Sequence, residues 1–200
     1  WFPGGTKDKT ISGHILAGFG KLNKMLKDKP NEYFSNEIKN VIKNTIDYLD
    51  KNYSQQLIED RKAATNLDLA DYSSYFYFRS FWTHEKEIPS ELKKVLNQLS
   101  KNYITNFEDY SLYHQAMITT FLQRYGYNEE AKNLIGILKK TAKTSEENGM
   151  YWENNLSGWY WHQAPIETQA MLIEAFAEAN PQDSQTVEEM KIWLLKNRQL

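Results

Sequence analysis

The feature that most constrains the fold is an alternation between two kinds of helical segment along the 200 residues of the chain. Apolar residues recur with a helical period in about eight segments, and the alternation typical of strands is nearly absent. One kind of segment is apolar on most sides, whereas the other carries one apolar stripe opposite Lys, Asn, Asp and Glu. A helix that is apolar on all sides must be surrounded, so the chain needs an inner and an outer layer of helices.

Four segments are predicted to be inner helices, and the segments between them are predicted to be outer helices. The inner segments are residues 11–26, 71–82, 108–125 and 165–179. A four-helix bundle has no such two-layer order. A solenoid also alternates its helices, but it repeats them at a fixed length, whereas the spacing between the inner segments here is uneven. The sequence therefore predicts an all-α fold, an α/α toroid with two rings of helices as in terpenoid cyclases.

Three glycines interrupt the first inner segment, ISGHILAGFGKLNKML: Gly13, Gly18 and Gly20. Each glycine inside a helix costs about 1 kcal/mol relative to alanine. We expect the compensation to be the close approach of a neighbouring backbone, which a side chain would prevent.

Composition places the chain among soluble globular domains, with 25% charged and 40% hydrophobic residues. One domain is expected over residues 1–200. The net charge of −2 gives no reason to expect nucleic acid as a partner. No apolar run approaches the roughly 20 residues of a membrane span. The chain has no cysteine, which excludes disulfides, cysteine–zinc sites and thiol nucleophiles within it.

The segment 144–164 is long for a connection in a compact domain, and such segments are often functional. It is rich in aromatic residues, and the turn-forming NNLSG at 154–158 predicts a small β-hairpin near 150–162. Two interpretations are open, because tryptophan and tyrosine bury large areas wherever they lie. The aromatic side chains either form a surface on which a sugar or peptide stacks, or plug one end of the helical ring.

The stretch HQAPIET predicts a helix start, because Pro165 suits the first helical position. Glu167 then lies in the first turn, where it is either a general acid beside His162 or a carboxylate that stabilises the helix terminus. No second carboxylate is positioned by the sequence to complete a catalytic pair. The candidate binding residues are those of the aromatic segment and the helix start: Trp152, Trp159, Trp161, His162 and Glu167.

No motif indicates a metal, a cofactor or a known reaction. The four histidines, His14, His84, His114 and His162, form neither an HxxxH nor an HExxH spacing. His14 and His114 lie in inner segments, where they either line a cavity or are core histidines with satisfied hydrogen bonds; the second interpretation is preferred. The opening WFPGG lacks the frame of a phosphate-binding loop, and no GxSxG elbow is present.

Several stretches resemble the thioester-containing domain of bacterial alpha-2-macroglobulin proteins. They are WFPGG followed by ISGHILAGFGKL, then GMYWENN, WYWHQAPIETQAMLIEAF and VEEMKIWLLKNRQ. The last two also resemble a helix pair in complement-type thioester domains. The resemblance follows the chain in order, and is most specific in the tryptophan-rich segment and least specific over 30–140.

The resemblance implies an α/α toroid that continues before Trp1 and after Leu200. Family members trap proteases: cleavage of a bait region exposes a thioester, formed within a Cys-x-Glu-Gln motif, that acylates the attacker. That motif would precede Trp1, so the resemblance implies a non-enzymatic domain without cofactor or catalytic residue. The implied partners are target proteases, through the full-length protein, and other domains of the same chain. The implied location is the periplasm, with membrane attachment only through a lipid anchor elsewhere.

Two other functions are compatible with a helical toroid. A polysaccharide hydrolase or lyase would have a deep pocket lined by Trp159, Trp161, Glu167 and another acid. A peptide-binding helical module would expose an apolar groove.

Overall fold

The computed structural model describes residues 7–26, 34–63, 67–156 and 164–197. Within them the chain forms eight α-helices, a short 3-10 helix at Phe107–Asp109 and one two-stranded sheet. The all-α fold with a small β-hairpin is therefore confirmed. The helices are α1 (Lys9–Met25), α2 (Asn36–Ala63), α3 (Leu69–Ser80), α4 (Ser90–Thr105), α5 (Leu112–Arg124), α6 (Asn128–Thr141), α7 (Pro165–Ala179) and α8 (Ser184–Asn197).

Short polar side chains fix several helix starts. The Asp8 side chain accepts the main-chain N–H of Ile11 at the start of α1, and Asp68 accepts two main-chain N–H groups at the start of α3. Ser111 caps α5 in the same way. Each cap satisfies N–H groups that have no partner within the helix, which is why these boundaries lie where they do.

The chain folds into two compact units, Trp1–Leu99 and Ser100–Leu200, and α4 runs across the boundary between them. The first unit contains α1, α2, α3 and most of α4. The second contains α5 to α8 and the hairpin. The expectation of one domain over 1–200 stays a prediction.

In the first unit, α1 and α3 lie side by side and run parallel. Near their starts, Lys9 Nζ donates to Asp71 Oδ2 at 2.6 Å. Near their ends, Gly20 lies against the side chain of Phe81. Both helices were predicted to be inner helices, so two inner helices are direct neighbours.

Helix α2 connects α1 to α3 in the sequence, runs in the opposite direction and packs on both helices. Gln56, late in α2, donates to Asp71 at the start of α3 at 3.0 Å. Asp50, earlier in α2, accepts from Arg79 at the end of α3 at 2.7 Å. The order is reversed, so α2 is antiparallel to α3 and to α1. It buries one stripe and exposes its other face, as expected of an outer helix.

Helix α3 is buried on nearly all sides, and eight consecutive or near-consecutive residues from Tyr72 to Ser80 are buried. Helix α1 differs from the prediction. It buries the narrow face of Gly13, Leu16 and Gly20, whereas four of its large apolar side chains face solvent. The exposed side chains are Ile11 at 55%, Ile15 at 46%, Leu22 at 47% and Met25 at 81%. The prediction that all of segment 11–26 lies in a central layer is therefore wrong for this face of α1.

The glycines of α1 admit aromatic rings and not a neighbouring backbone. A Cβ built at Gly13 would lie 2.1 Å from Cδ2 of Phe78, and one at Gly20 would lie 2.4 Å from Cγ of Phe81. A Cβ at Gly18 would meet no atom within 4 Å. Close approach thus explains Gly13 and Gly20, with a different neighbour from the one expected, and does not explain Gly18.

In the second unit, α5 and α7 are the helices most extensively packed on each other, and they too run parallel. Tyr113 at the start of α5 lies within electrostatic reach of Glu167 at the start of α7. Arg124 at the end of α5 donates to Glu178 near the end of α7 at 2.8 Å. Both helices bury most of their apolar side chains, as predicted for inner helices.

The hairpin lies earlier in the chain than predicted. Strands β1 (Lys143–Ser145) and β2 (Gly149–Tyr151) are antiparallel, and their turn occupies 146–148; the second half of the predicted hairpin, 157–162, lies outside the described residues. Gly149 has a φ of 65°, and a Cβ there would lie 2.1 Å from the main-chain oxygen of Glu189 in α8. Only glycine fits this turn and this approach, so its position fixes β2 against α8.

Within each unit the predicted inner helices run parallel, and α3, α5 and α7 are buried on most sides whereas α1 is not. They alternate with helices that bury one stripe. The stripe residues of the latter include Leu92, Val95 and Leu96 of α4 and Leu134, Ile135 and Leu138 of α6. This alternation is the one that the sequence predicts, except at α1, whose exposed face departs from the predicted inner layer. The closed double ring concerns both units together and stays a prediction. No helix in the described ranges is long and apolar enough to cross a membrane.

Candidate functional site

Of the five residues predicted to bind a ligand, the structure describes two. Trp159, Trp161 and His162 lie outside the described residues. Trp152 directly follows β2, and Glu167 lies in the first turn of α7.

Trp152 is a core residue of the second unit, with 1% of its side chain exposed. Its indole Nε1–H donates to the main-chain oxygen of Leu138 at 3.1 Å and lies 3.2 Å from the hydroxyl of Thr141. The ring meets Phe176 edge to face at a centroid distance of 5.9 Å. A buried indole with its N–H satisfied packs α6 against α7, and this supports the plug interpretation for Trp152.

Gln169, which the sequence analysis did not single out, joins three elements of the second unit. It is fully buried, and its Nε2 donates to the main-chain oxygens of Met150 in β2, at 2.9 Å, and Met190 in α8, at 3.2 Å. Both acceptors come from other elements, so the amide holds the hairpin and α8 against α7. The sequence signal is a glutamine inside the apolar run of PIETQAMLIEAF.

Glu167 is exposed, and it shares one face of α7 with Glu174 and Glu178. Burial, together with the negative charges of Glu174 and Glu167, raises the pKa of Tyr113 on α5 to about 12. The Arg124 guanidinium holds Glu178 through two hydrogen bonds, at 2.8 and 2.6 Å, and also bonds to Glu174. Two of the three carboxylates are thus engaged in an ion-pair network that ties α5 to α7.

The described histidines do not form a reactive centre. His14 packs its ring on Phe78 at 5.1 Å, and partial burial together with the charge of Lys21 lowers its pKa. His114 Nδ1 lies 2.8 Å from the Ser111 hydroxyl, and His84 is exposed. The prediction of core histidines is therefore wrong for His14, which is exposed. Among the described residues, no cluster of His, Asp and Glu could hold a metal ion.

A buried ion pair was also not foreseen. Asp50 of α2 accepts from Arg79 Nε at 2.7 Å and from the Tyr75 hydroxyl at 2.9 Å. The guanidinium has no exposed surface and also donates to the main-chain oxygen of Lys86 at 2.9 Å. The Asp50 and Arg79 side chains are almost fully buried, so this pair stabilises the α2–α3 packing. The signal in the sequence is an acidic residue within the apolar stripe of α2, because Asp50 lies one turn after Ile46.

The first unit contains a half-open pocket of about 720 Å³. It lies between the first half of α2 and the turn that follows α3, and it includes neither Trp152 nor Glu167. Ile42, Ile46 and Trp82 form its apolar part, and Lys39, Lys43 and Lys86 are among its polar lining. A pocket of this size is typical of small-molecule sites.

The side chains described above pack helices together or form closed ion-pair networks. The pocket of the first unit is the feature among them whose size is typical of a small-molecule site. The carboxylates of Asp50, Glu174 and Glu178 are bonded to arginines. Comparisons with protein families, with curated proteins and with solved structures found no significant match to this chain.

Proposed function

We propose that this chain is part of the non-catalytic helical domain of a bacterial alpha-2-macroglobulin-like protease inhibitor. The observation that carries the proposal is the parallel course of the predicted inner helices, α1 beside α3 and α5 beside α7, with helices that bury one stripe between them in the chain. A double ring of helices is built from such units. The tryptophan-rich segments that resemble the family add the second support, and Trp152 among them packs in the core.

In this proposal the chain acts as a rigid part of a protease trap, in the periplasm, and contacts target proteases and neighbouring domains through the full-length protein. A chain without cysteine cannot itself form a Cys–Gln thioester. The ion pairs of Asp50 with Arg79 and of Arg124 with Glu178 suit a structural role, because they stabilise helix packing in each unit.

The test measures protease activity in the presence of the full-length protein that contains this segment. A trapped protease loses activity on a large substrate such as casein and keeps activity on a short chromogenic peptide. The matched variants are Gly20→Leu, which places a side chain into Phe81, and Gly18→Ala, which enters open space. We expect Gly20→Leu to abolish trapping and Gly18→Ala to retain it. Unchanged cleavage of both substrates by the wild-type mixture would refute the proposal.

The second candidate is a helical peptide-binding module, and the exposed apolar side chains of α1 favour it. The carbohydrate-active alternative needs a pair of free carboxyl groups near the aromatic segment. The two other carboxylates on the same face of α7 as Glu167, those of Glu174 and Glu178, are bonded to Arg124 and are therefore not free to form such a pair. Release of reducing sugars from a polysaccharide by the chain would support that alternative against the protease trap.

A further inference from the structure

Helix α1 exposes a continuous apolar stripe on the side opposite its packed face. Between 46% and 81% of each side chain in this α1 stripe is exposed. The members are Ile11, Ile15, Leu22 and Met25. Their spacing of four, seven and three residues returns to the same side of a helix at each step. A run of exposed apolar side chains along one helix face is typical of an interaction site.

Gly18 lies at the centre of the α1 stripe, and packing within the described residues does not explain it. The residue is exposed, and a Cβ there would meet no atom within 4 Å. Glycine is unfavourable inside a helix relative to alanine, so the chain loses stability at this position. Glycine lets a second backbone approach closely. Its place in an exposed apolar stripe therefore points to a helix that crosses α1 at this residue.

The α1 stripe is nearly symmetric about Gly18. Ile15 and Leu22 lie three residues before and four residues after it, and Ile11 and Met25 each lie seven residues away. A twofold axis beside Gly18 would bring together the glycines of two copies that cross in opposite directions. It would also place Ile15 against Leu22 of the second copy, and Ile11 against Met25. A surface that matches itself in this way is what a closed homodimer requires.

The size of the α1 stripe determines how strong such a contact can be. From Ile11 to Met25 the helix rises about 21 Å, and it is about 10 Å wide. Stable dimers bury about 800 Å² on each copy, which is more than this strip covers, so the contact is weak. The net charge of −2 leaves little electrostatic repulsion between two copies.

We propose that two copies of this chain associate through the α1 stripe, with their α1 helices crossing at Gly18. The dissociation constant is expected to be on the order of 0.1 mM. The proposal concerns the first unit alone and holds or fails independently of the protease trap.

Sedimentation equilibrium of the 200-residue chain, from about 10 µM to about 1 mM, tests the proposal. Leu22→Glu is expected to weaken the dimer at least about tenfold, because it places a charge in each half of the apolar contact. Ile58→Glu is the matched control, because Ile58 on α2 is exposed to the same 47% as Leu22. It lies one turn after Ser54, which donates to Glu91 of α4, so it faces away from α1. This control is expected to change the dissociation constant less than about twofold.

Gly18→Ala distinguishes a glycine at an interface from an ordinary exposed one. Alanine stabilises the helix but holds two crossing backbones apart. The variant is therefore expected to raise the urea midpoint of the dilute chain and to weaken the dimer by about fivefold or more.

Three results would overturn the proposal. The first is a chain that stays monomeric at about 1 mM. The second is a dimer that Leu22→Glu and Gly18→Ala leave unchanged, or that Ile58→Glu weakens as much as Leu22→Glu does. The third is a monomeric chain that sediments with phosphatidylglycerol vesicles and loses this binding in Leu22→Glu, which would assign the α1 stripe to a lipid surface. Circular dichroism of each variant checks that these exposed substitutions leave the helices formed.

Discussion

Replacing the glycines of α1 by alanine one at a time tests the contact between α1 and α3. All three positions gain about 0.5–1 kcal/mol of helix stability from the substitution, because glycine is a poor helix former. The tertiary cost differs between them. A Cβ at Gly18 meets nothing within 4 Å, so Gly18→Ala is expected to stabilise the protein by the full gain.

The cost is largest at Gly20. A Cβ there would lie 2.5 Å from Cβ of Phe81 and 2.4 Å from its Cγ, and these atoms are fixed by the backbone of α3. Overpacking a core contact typically costs about 1–3 kcal/mol, so Gly20→Ala is expected to lose about 1–2 kcal/mol net. At Gly13 the nearest atoms belong to the ring of Phe78, which can turn aside, so the net loss is expected to be smaller.

Urea denaturation followed by circular dichroism measures these differences, because the midpoint shifts with stability at constant slope. Gly136→Ala in α6, where a Cβ also meets no atom, is a second control and is expected to stabilise. From the most to the least stable protein, the expected order is Gly18→Ala, wild type, Gly13→Ala and Gly20→Ala. A stabilised Gly20→Ala protein would refute the close parallel packing of α1 on α3.

Three further predictions concern single side chains. Asp50→Ala leaves the buried Arg79 charge without its partner and is expected to cost about 3–5 kcal/mol in urea denaturation, whereas Asp47→Ala removes an exposed pair and is expected to cost less than about 1 kcal/mol. Partial burial raises the pKa of Asp71, but hydrogen bonds, chiefly from Lys9, outweigh it and hold the pKa below its ordinary value. The stability advantage of wild type over Asp71→Asn should therefore be complete at neutral pH and vanish as the pH falls through that lowered pKa; an advantage independent of pH would contradict this. Trp152→Phe removes the indole hydrogen bond to the main-chain oxygen of Leu138, which keeps the Thr141 hydroxyl as a donor, and leaves space in the core, so it is expected to cost about 1–3 kcal/mol; an unchanged midpoint would show that the indole is dispensable.

The helices were predictable because their apolar periodicity is strong and several starts carry a capping residue or a proline. The face on which a helix packs was less predictable. In α1 the sequence places Ile11, Ile15 and Leu22 in the core, yet the helix packs through Gly13 and Gly20. Hydrophobicity alone does not indicate which of two faces meets a neighbour, whereas the paired glycines mark the surface that a ring can approach.

The polar groups that hold the units together were missed for a different reason. Asp50 and Arg79 are 29 positions apart, and Arg124 and Glu178 are 54 apart. Neither spacing is meaningful until the helices are placed side by side. Gln169 was hidden in the same way, since its acceptors are main-chain oxygens of the hairpin and of α8. A polar residue within an apolar stripe was the available signal in each unit.

The parallel course of the inner helices, on which the proposed fold and function both rest, is tested most directly by spin-label distances in the second unit. The chain has no native cysteine, so introduced pairs are labelled without background. One pair places labels at Glu108, before α5, and Glu167, at the start of α7; the other places them at Glu108 and Ala177, near the end of α7. Ten residues of helix span about 15 Å, so parallel helices predict a clearly shorter distance for Glu108–Glu167. A shorter distance for Glu108–Ala177 would mean that α5 and α7 are antiparallel and would contradict the two-layer architecture.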